Sequence, residues 1–259
     1  MAGREIFAWT NFDLQKNEPP PAVTLLIGGM HGDEEATVAL LETFRDRILE
    51  KEKPTAPVAV LPLANPDGYK LRTRYNAHRV DLNRNCVWAW NARSEEPPGP
   101  EPWSEPESRA LRDFIWQARP SKIVSLHWAL AELDADGPQS TPLAQAMWHA
   151  LNDDERKPYR LRVSEPGRGR KRLQRTYDVC PGSLGQWCGY GLVYKNKTRP
   201  AMITLELPYD PAADSRPQPL PENHLADVHA RWRADAAAYL AAVEPGVHKM
   251  LRAACEFCG

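Results

Sequence analysis

The sequence has no long hydrophobic run and no excess of charge of either sign. Its longest clean apolar stretch, residues 23–30, is far shorter than the ~20 residues that a membrane-spanning helix needs, so no transmembrane span is predicted. The 33 basic and 34 acidic residues leave a formal net charge of −1, which excludes binding of nucleic acid or of an anionic bilayer by charge alone. The first residues lack the basic-then-apolar order of a secretory signal. We therefore expect a cytoplasmic protein.

Cysteine is also scarce, with five residues in a chain of 259. An odd number spread thinly along a long chain argues against a disulfide framework and favours a reducing compartment. Cys255 and Cys258 lie at the end of the sequence, and we interpret them as an exposed, reduced tail in preference to half of a structural zinc site. Proline, in contrast, is abundant at 25 residues, and its clusters mark loops.

The pattern of strands and helices predicts an α/β fold. With 42% hydrophobic and 26% charged residues, the composition is that of a globular protein. Short runs rich in apolar and β-branched residues predict buried strands at 22–28, 57–63, 122–126 and 201–205. Because helical patterns alternate with these strands, we expect a single domain over residues 1–259, with a mainly parallel mixed β-sheet flanked by helices on both faces.

Two helical segments carry specific end signals. The helix predicted over 105–118 begins with Ser104-Glu-Pro-Glu107, which predicts a capping box with proline in the first turn. The C-terminal helices, at about 223–254, are expected to pack on the outside and to be interrupted near Pro245-Gly246. Four histidines in helical patterns, at 149, 224, 229 and 248, are interpreted as surface or packing residues.

Polar side chains follow the predicted strands at the ends where such sheets bind ligands. His31 and Glu34 follow the first strand, His127 the third, and Glu206 lies near the end of the fourth. Two histidines and one carboxylate are a ligand set of catalytic zinc, with the fourth position left for water. The alternative is a group of satisfied polar residues in the core. Convergence of these residues at one edge of the sheet favours the zinc site.

Glu206 is the single carboxylate in an apolar strand that ends at Pro208. Because a buried carboxylate without a partner is costly, Glu206 either has a structural partner or faces a cleft as a general base. Its position at a strand end favours the second role.

The segment from Arg74 to Asn85 is the densest ordered polar stretch. Asn83 and Arg84 stand beside the apolar Val80 and Leu82, which indicates a donor pair turned inward. Arginine binds carboxylates through two parallel hydrogen bonds, so the pair predicts a substrate that bears a carboxylate. A solvated loop is the alternative.

These residues resemble the zinc metallocarboxypeptidases, in order and approximate spacing, from about residue 23 to 208. Each shared motif is weak, and the combination is highly specific. The motifs are His31-Gly-Asp-Glu34, Asn65-Pro-Asp-Gly68, Arg74-x-Asn76, Val80-Asp-Leu-Asn-Arg-Asn85, Ser104-Glu-Pro-Glu107, Ser125-Leu-His127 and Thr204-Leu-Glu206.

The resemblance implies the roles of the site residues. His31, Glu34 and His127 would hold one Zn²⁺ ion per chain. Glu206 would be the general base and later the proton donor, and Arg74 would stabilise the oxyanion.

The resemblance also implies how the substrate is held. Asn83 and Arg84 would bind the free carboxylate of its terminal residue, and Asp81 would orient a zinc-binding histidine. Arg72 is the less favoured alternative to Arg74, which alone has the family's offset to the following asparagine.

The segment 181–187 is most similar to the bacterial murein peptide amidase branch, whose substrate bond joins γ-D-glutamate to meso-diaminopimelate. The sequence departs from the family at two places. Asp33 precedes the glutamate ligand where the large digestive carboxypeptidases have arginine, and Arg79 replaces a usual glycine. The tyrosine that closes over substrate in those enzymes has four equal candidates here, at 177, 190, 194 and 209.

The predicted function is therefore zinc-dependent hydrolysis of an amide bond next to a residue with a free carboxylate. The expected partner is a small peptide substrate, without nucleic acid or membrane. One alternative is an N-acyl amino acid hydrolase of the succinylglutamate desuccinylase or aspartoacylase type, which Asn85 and the Asn65-Pro-Asp-Gly68 motif disfavour. Another is a non-catalytic peptide-binding module, which has no need of Glu206.

Overall fold

The computed structural model describes residues 4–16, 18–47, 51, 54–163, 180–211 and 224–258. At their centre lies a seven-stranded sheet of strand order β1-β3-β2-β4-β7-β5-β6. The strands are β1 (Trp9–Thr10), β2 (Thr24–Ile27), β3 (Val58–Leu61), β4 (Lys122–Trp128), β5 (Glu132–Asp136), β6 (Arg160–Arg162) and β7 (Ala201–Leu207). Neighbours β3, β2, β4 and β7 are parallel, whereas β1 and β5 run antiparallel to β3 and β7. The mainly parallel mixed sheet is confirmed.

Helices cover both faces of the sheet, as the sequence predicts. The described helices are α1 (Glu35–Arg45), α2 (Pro66–Leu71), α3 (Pro106–Ala118), α4 (Thr141–His149), α5 (Asp153–Arg156), α6 (Leu184–Gln186), α7 (His224–Ala234) and α8 (Ala236–Glu256). Alternate strand residues point to opposite faces. Leu26 packs with Phe44 of α1 and Val247 of α8, whereas Leu25 packs with Ile115 of α3. Within these ranges no helix is long and apolar enough to span a membrane.

The four predicted strands are confirmed to within two residues at each end. The sequence pattern does not predict β5, which reads Glu-Leu-Asp-Ala-Asp, because acidic residues are depleted from strands. This strand forms because all of its residues pair in register with β7. Pairing with a neighbour therefore overrides local propensity here.

The predicted interruption of the C-terminal helices near Pro245 is wrong. The helical region is instead interrupted at Asp235, between α7 and α8. The Asp235 side chain accepts a hydrogen bond from the Ala238 N–H at 2.8 Å and so caps α8. Pro245 lies inside α8. Proline removes one backbone hydrogen bond, and the burial of Val243 and Val247 against the core offsets that loss.

The predicted capping box of α3 is also wrong, although Pro106 does begin the helix. The Ser104 hydroxyl donates to the Glu105 carboxylate at 2.8 Å and accepts from the Asn85 amide at 2.9 Å, so it does not cap the helix. The fully buried Asn85 also accepts a hydrogen bond from Ser108 at 2.6 Å. Asn85 thereby ties the preceding loop to α3.

The end of α8 is anchored to the first residue of β4. Lys122 is buried, and its Nζ donates to the carbonyl oxygens of Cys255 at 3.3 Å and Phe257 at 2.8 Å. These bonds satisfy carbonyl groups that a helix end leaves without partners. All five cysteines are free, and Cys258 is exposed as predicted, whereas Cys255 is buried.

Candidate active site

The turn between β2 and α1 carries His31 and Glu34. Gly32 packs against α2 so closely that a Cβ atom there would lie 2.0 Å from the carbonyl carbon of Gly68. The Glu34 N–H donates to the His31 carbonyl at 3.3 Å and closes the turn. Because only glycine fits at position 32, this packing keeps the two side chains together.

Strands β4 and β7 bring His127 and Glu206 to the same edge of the sheet. Their parallel register pairs these two residues directly. Residues paired in this way face the same side of a sheet. Both lie near the carboxyl ends of their strands, where sheets of this kind bind ligands.

His31, Glu34 and His127 form a buried cluster, each with at most 4% of its surface exposed. Nδ1 of His31 lies 2.6 Å from Oε1 of Glu34, and Nδ1 of His127 lies 3.3 Å from Oε2. One ligand atom from each residue lies within 4.8 Å of the other two. The carboxylate therefore sits between the two rings.

The outer nitrogens of both rings contact other side chains. Nε2 of His31 lies 3.3 Å from Oδ1 of Asp81, and Nε2 of His127 lies 3.1 Å from Oγ of Ser125. These contacts turn each Nδ1 toward Glu34. The Ser125-Leu-His127 motif contains this serine, but its contact with His127 was not predicted. The signal was its spacing, since residues two apart on a strand share a face.

The donor chemistry of the cluster fits a metal ion. Oε2 of Glu34 is buried and has no hydrogen-bond partner among the described residues. An unsatisfied buried carboxylate oxygen is costly, and a cation bound by this oxygen and the two Nδ1 atoms would remove the cost. Two imidazole nitrogens and a carboxylate oxygen are a set that zinc accepts.

Electrostatics within the cluster favour an ionised carboxylate. Burial raises the pKa of Glu34, but His31 and then His127 outweigh it and hold the pKa at about 2. Burial lowers the pKa of His31, but the Glu34 carboxylate outweighs it and raises the pKa to about 9. Glu34 is therefore ionised at neutral pH, which is the form that binds a cation.

Glu206 differs from Glu34 in its charged neighbours, and its side chain is partly exposed. Burial raises the pKa of Glu206 to about 7, although the neighbouring His127 opposes the shift. Its Oε2 accepts a hydrogen bond from the Leu130 N–H at 3.3 Å. A carboxyl group with a pKa near neutrality can both accept and return a proton.

Arg74 reaches the cluster with the help of Asp81. Nε and Nη2 of Arg74 donate to Oδ2 of Asp81 at 3.0 and 2.8 Å, and Nη1 lies 3.4 Å from Nδ1 of His31. Asp81 is fully buried. Burial raises its pKa, but His31, Arg74 and Arg84 outweigh burial and hold the pKa well below the usual range.

Two other arginines of this segment lie outside the cluster. Arg72, the less favoured candidate for the oxyanion, is largely exposed and pairs with Glu35 at 3.2 Å. Arg79 has a φ of 62°, in the left-handed region that favours glycine, and its N–H donates to the Asn76 carbonyl at 3.0 Å. The turn that glycine usually forms at this position is therefore retained with arginine.

Asn83 and Arg84 lie in a 3₁₀ turn (Leu82–Arg84) directly after Asp81. The Asn83 N–H donates to Oδ1 of Asp81 at 2.8 Å, and Oδ1 of Asn83 accepts from the Leu184 N–H at 2.9 Å. Nη1 of Arg84 donates to the backbone carbonyl of Asn83 at 2.7 Å. The guanidinium forms no ion pair with any described residue. It is therefore available to a carboxylate on a ligand.

Arg84 lies against the loop that precedes α6. Gly182, with a φ of 74°, packs against it so closely that a Cβ atom would lie 2.3 Å from the Arg84 carbonyl oxygen. Burial raises the pKa of Cys180; Arg84 opposes the shift, whereas Asp136 and Glu206 add to it. Arg84 and Glu206 therefore both act on the Cys180 side chain.

Asp33 directly precedes Glu34 in the turn that carries the cluster residues. Burial raises the pKa of Asp33 and Glu34 raises it further, whereas His31 and His229 of α7 oppose the shift. The His229 ring packs edge-on against Trp128, the last residue of β4, with ring centroids 5.8 Å apart. His229 is thus a packing residue, as the sequence predicts.

The structure places one of the four candidate tyrosines, Tyr194, away from the cluster. Tyr194 is buried, and its hydroxyl donates to the Pro120 carbonyl at 2.9 Å, beyond the opposite end of β4 from His127. The Tyr209 hydroxyl contacts Asp227 at 3.3 Å. Tyr177 lies outside the described residues.

Sequence comparisons identify relatives over much of the chain. A family model described as zinc carboxypeptidase matches residues 2–130, a range that includes His31, Glu34 and His127 and stops before Glu206. Murein peptide amidase A of Escherichia coli (strain K12) is 31% identical over 189 residues, which cover 66% of this chain and 69% of the relative.

Solved structures with the same fold agree with these matches. The murein-tripeptide amidase of Escherichia coli O157 has a TM-score of 0.51 at 28% identity, with 83% of this chain and 84% of that chain covered. Carboxypeptidase A of Helicoverpa armigera has a TM-score of 0.59 at 20% identity, with 92% and 62% covered, which shows the fold alone. The predicted zinc carboxypeptidase-like fold is confirmed.

We expect the purified protein to retain one zinc ion per chain after dialysis, because three ligand side chains converge on one point. His31→Ala and His127→Ala should each lose the ion, since two remaining ligands hold zinc weakly. His149→Ala removes an exposed histidine on α4 and should keep it. Metal analysis that finds full zinc content in either cluster variant would contradict this assignment.

Proposed function

The chain belongs to the zinc carboxypeptidase family, and from this premise we propose that it cleaves an amide bond beside a residue with a free carboxylate, in a zinc-dependent reaction. The favoured bond joins γ-D-glutamate to meso-diaminopimelate in murein peptides. Family membership makes the chain a hydrolase of the metallocarboxypeptidase or amidase type. Membership of a hydrolase family disfavours the alternative of a non-catalytic peptide-binding module.

The direct pairing of His127 with Glu206, beside the His31–Glu34 pair, is the observation that carries the proposal. His31, Glu34 and His127 would hold the zinc ion through the two Nδ1 atoms and the carboxylate. Zinc bound there supplies a Lewis acid that polarises the scissile carbonyl and makes water more acidic.

Glu206 accepts a proton from the attacking water and later gives it to the leaving amine. Its pKa, raised by burial to about 7, suits both steps near neutral pH. The Leu130 N–H engages one carboxylate oxygen, which leaves the other oxygen to take the proton. The side chain as a whole is only partly buried.

Arg74 stabilises the negative charge that develops on the carbonyl oxygen. Its Nη1 borders His31, whereas Asp81 holds Nε and Nη2. The guanidinium is therefore oriented before the substrate arrives, and a preorganised donor costs little reorganisation in the transition state.

Asn83 and Arg84 bind the free carboxylate of the terminal residue. Arg84 has no carboxylate partner in the described chain. The Leu184 N–H donates to the side-chain oxygen Oδ1 of Asn83, so the side-chain nitrogen Nδ2 remains to donate to a ligand. Together they offer the two N–H groups that a carboxylate prefers. Murein peptides as substrate are supported by the murein peptide amidase relatives, and recycling of such peptides is the proposed setting.

Product analysis tests this function. Incubation with L-Ala-γ-D-Glu-meso-diaminopimelate should release meso-diaminopimelate, detected by mass, and a zinc chelator should abolish the release. Acetyl-aspartate and succinyl-glutamate are the parallel substrates. Their hydrolysis, with the tripeptide left intact, would favour an N-acyl amino acid hydrolase.

Glu206→Gln should keep zinc and substrate binding but lower kcat by about 10²–10⁴-fold, because glutamine has the shape of glutamate but cannot take the proton. The acidic limb of the kcat/KM profile, where activity rises with pH as Glu206 loses its proton, should disappear. Glu101→Gln, on an exposed loop, is the control and should match the parent. Near-normal turnover of Glu206→Gln would make Glu206 structural.

Arg84→Met should lower kcat/KM on the free acid by about tenfold or more, because a hydrogen bond to a charged group contributes about 1.5–3 kcal/mol. On a substrate with an amidated terminal carboxylate the same variant should change little, since the contact is already lost. This pair of comparisons is a double-mutant cycle between protein and substrate. Arg93→Met, at an exposed position, is the control. Equal losses on both substrates would assign Arg84 to the fold of its loop.

A further inference from the structure

Glu96 is a partly exposed carboxylate beside Arg74 that the proposed mechanism does not use. Its Oε1 lies 3.9 Å from Nε of Arg74, and its Oε2 accepts a hydrogen bond from the Tyr75 hydroxyl at 2.7 Å. Among the described residues, these two side chains are its partners. Glu96 thus contacts the proposed oxyanion donor and the residue that follows that donor in sequence.

The loop that carries Glu96 is attached to the turn that carries Asp81. The carbonyl oxygen of Pro97 accepts a hydrogen bond from the Asp81 N–H at 2.8 Å. The carbonyl oxygen of Pro98 accepts one from Nδ2 of the fully buried Asn85 at 2.8 Å. Proline also restricts the backbone of both positions, because its ring fixes φ. The backbone directly after Glu96 therefore cannot leave the site without breaking these two hydrogen bonds.

Tyr75 holds the side chain of Glu96. The hydrogen bond to Glu96, together with burial, raises the pKa of Tyr75, so the hydroxyl stays protonated and acts as the donor near neutral pH. A hydrogen bond to a charged carboxylate is stronger than one between neutral groups. Because Tyr75 engages Oε2, the other oxygen, Oε1, is the one next to Arg74.

Asp81 by itself leaves the Arg74 guanidinium one motion. Nε and Nη2 of Arg74 both donate to the same oxygen, Oδ2, whereas Oδ1 accepts from the Asn83 N–H. A carboxylate fixes a guanidinium best when two N–H groups meet two separate oxygens. With one shared oxygen the guanidinium can pivot about Oδ2, and Nη1, which lies 3.4 Å from Nδ1 of His31, would move with it.

We propose that Glu96, held by the Tyr75 hydroxyl, is a positioning residue that restrains the Arg74 guanidinium against this pivot and so keeps Nη1 directed at the developing oxyanion. The inference rests on the proposed function, because that function gives Arg74 its role. At 3.9 Å the contact acts through charge, and both side chains are partly exposed. Its effect is therefore smaller than that of Asp81.

Replacement of the charge tests this role. Glu96→Gln keeps the size of the side chain and an acceptor for Tyr75. On L-Ala-γ-D-Glu-meso-diaminopimelate it should lower kcat about three- to fivefold, as expected for a partly exposed charge pair. KM should stay within about twofold, because Arg74 acts on charge that develops in the transition state. Glu95→Gln, at the exposed neighbouring position, is the matched control and should equal the parent.

A double-mutant cycle distinguishes positioning of Arg74 from support of the loop. In an Arg74→Ala background, Glu96→Gln should cause no further loss of kcat, because the group through which it acts is gone. A residue that only supports the loop would cause the same loss in both backgrounds. Tyr75→Phe is the second variant, which leaves the carboxylate without its hydroxyl partner. It should lower kcat about twofold with the same dependence on Arg74.

Nuclear magnetic resonance measures the restraint without turnover. The Arg74 Nε–H signal is assigned by its absence from Arg74→Ala. Its order parameter should fall in Glu96→Gln and stay unchanged in Glu95→Gln. Zinc content and thermal unfolding of each variant check that it folds. If Glu96→Gln does not fold, the same measurements on Tyr75→Phe decide the question.

The possible outcomes separate the two proposals. An unchanged kcat or an unchanged Arg74 order parameter in Glu96→Gln would each overturn the role of Glu96 and leave the proposed function standing. Equal losses of kcat with and without Arg74 would also overturn it. Failure of the parent protein to release meso-diaminopimelate would overturn the proposed function, and the oxyanion role inferred for the Glu96 contact with it.

Discussion

One fully buried carboxylate, that of Asp81, joins the parts of the candidate site. One of its oxygens faces His31 and accepts from the Asn83 backbone, and the other takes two hydrogen bonds from Arg74. A cluster histidine, the proposed oxyanion donor and the start of the carboxylate-binding turn thus share one anchor. The cost of burying this charge is met by the cations around it, which hold the pKa of Asp81 far below its usual range. Loss of one partner would leave a buried charge uncompensated, so the three elements depend on one another.

Glutamate has two different proposed roles in this site because the surroundings of Glu34 and Glu206 differ. Glu34 lies between two imidazole rings, which lower its pKa despite complete burial. Glu206 is also influenced by His127 and His31, but the negative charge of Glu34 adds to the effect of burial, so burial prevails and its pKa rises. Environments that separate the pKa values of two nearby carboxyl groups divide the work of binding a cation from that of moving a proton. This division comes from the sheet, since the register of β4 and β7 fixes His127 beside Glu206.

Much of the fold and of the candidate site could be predicted from the sequence, because both depend on short-range patterns. Apolar runs identified the parallel strands, and the residues that follow them identified the cluster. Strand β5 could not be predicted, since its acidic residues have low strand propensity and the strand forms by pairing with β7. The break at Asp235 was missed because the favourable packing of Pro245 inside α8 depends on tertiary contacts. The contact of Ser125 with His127 could not be predicted, because only the structure shows which ring nitrogen the serine contacts.

The position of β7 in the sheet sets an order for assembly during synthesis. The chain up to Trp128 contains His31, Glu34 and His127 together with strands β1 to β4, so all three proposed metal ligands precede β5, β6 and β7. Strand β7 then inserts between β4 and β5, both of which precede it in sequence. The carbonyl partners of Lys122, on Cys255 and Phe257, are synthesised later still, so these hydrogen bonds form after β7 has been made. A nascent chain can therefore gather the three proposed metal ligands first and gain Glu206, the proposed proton-transfer group, only afterwards.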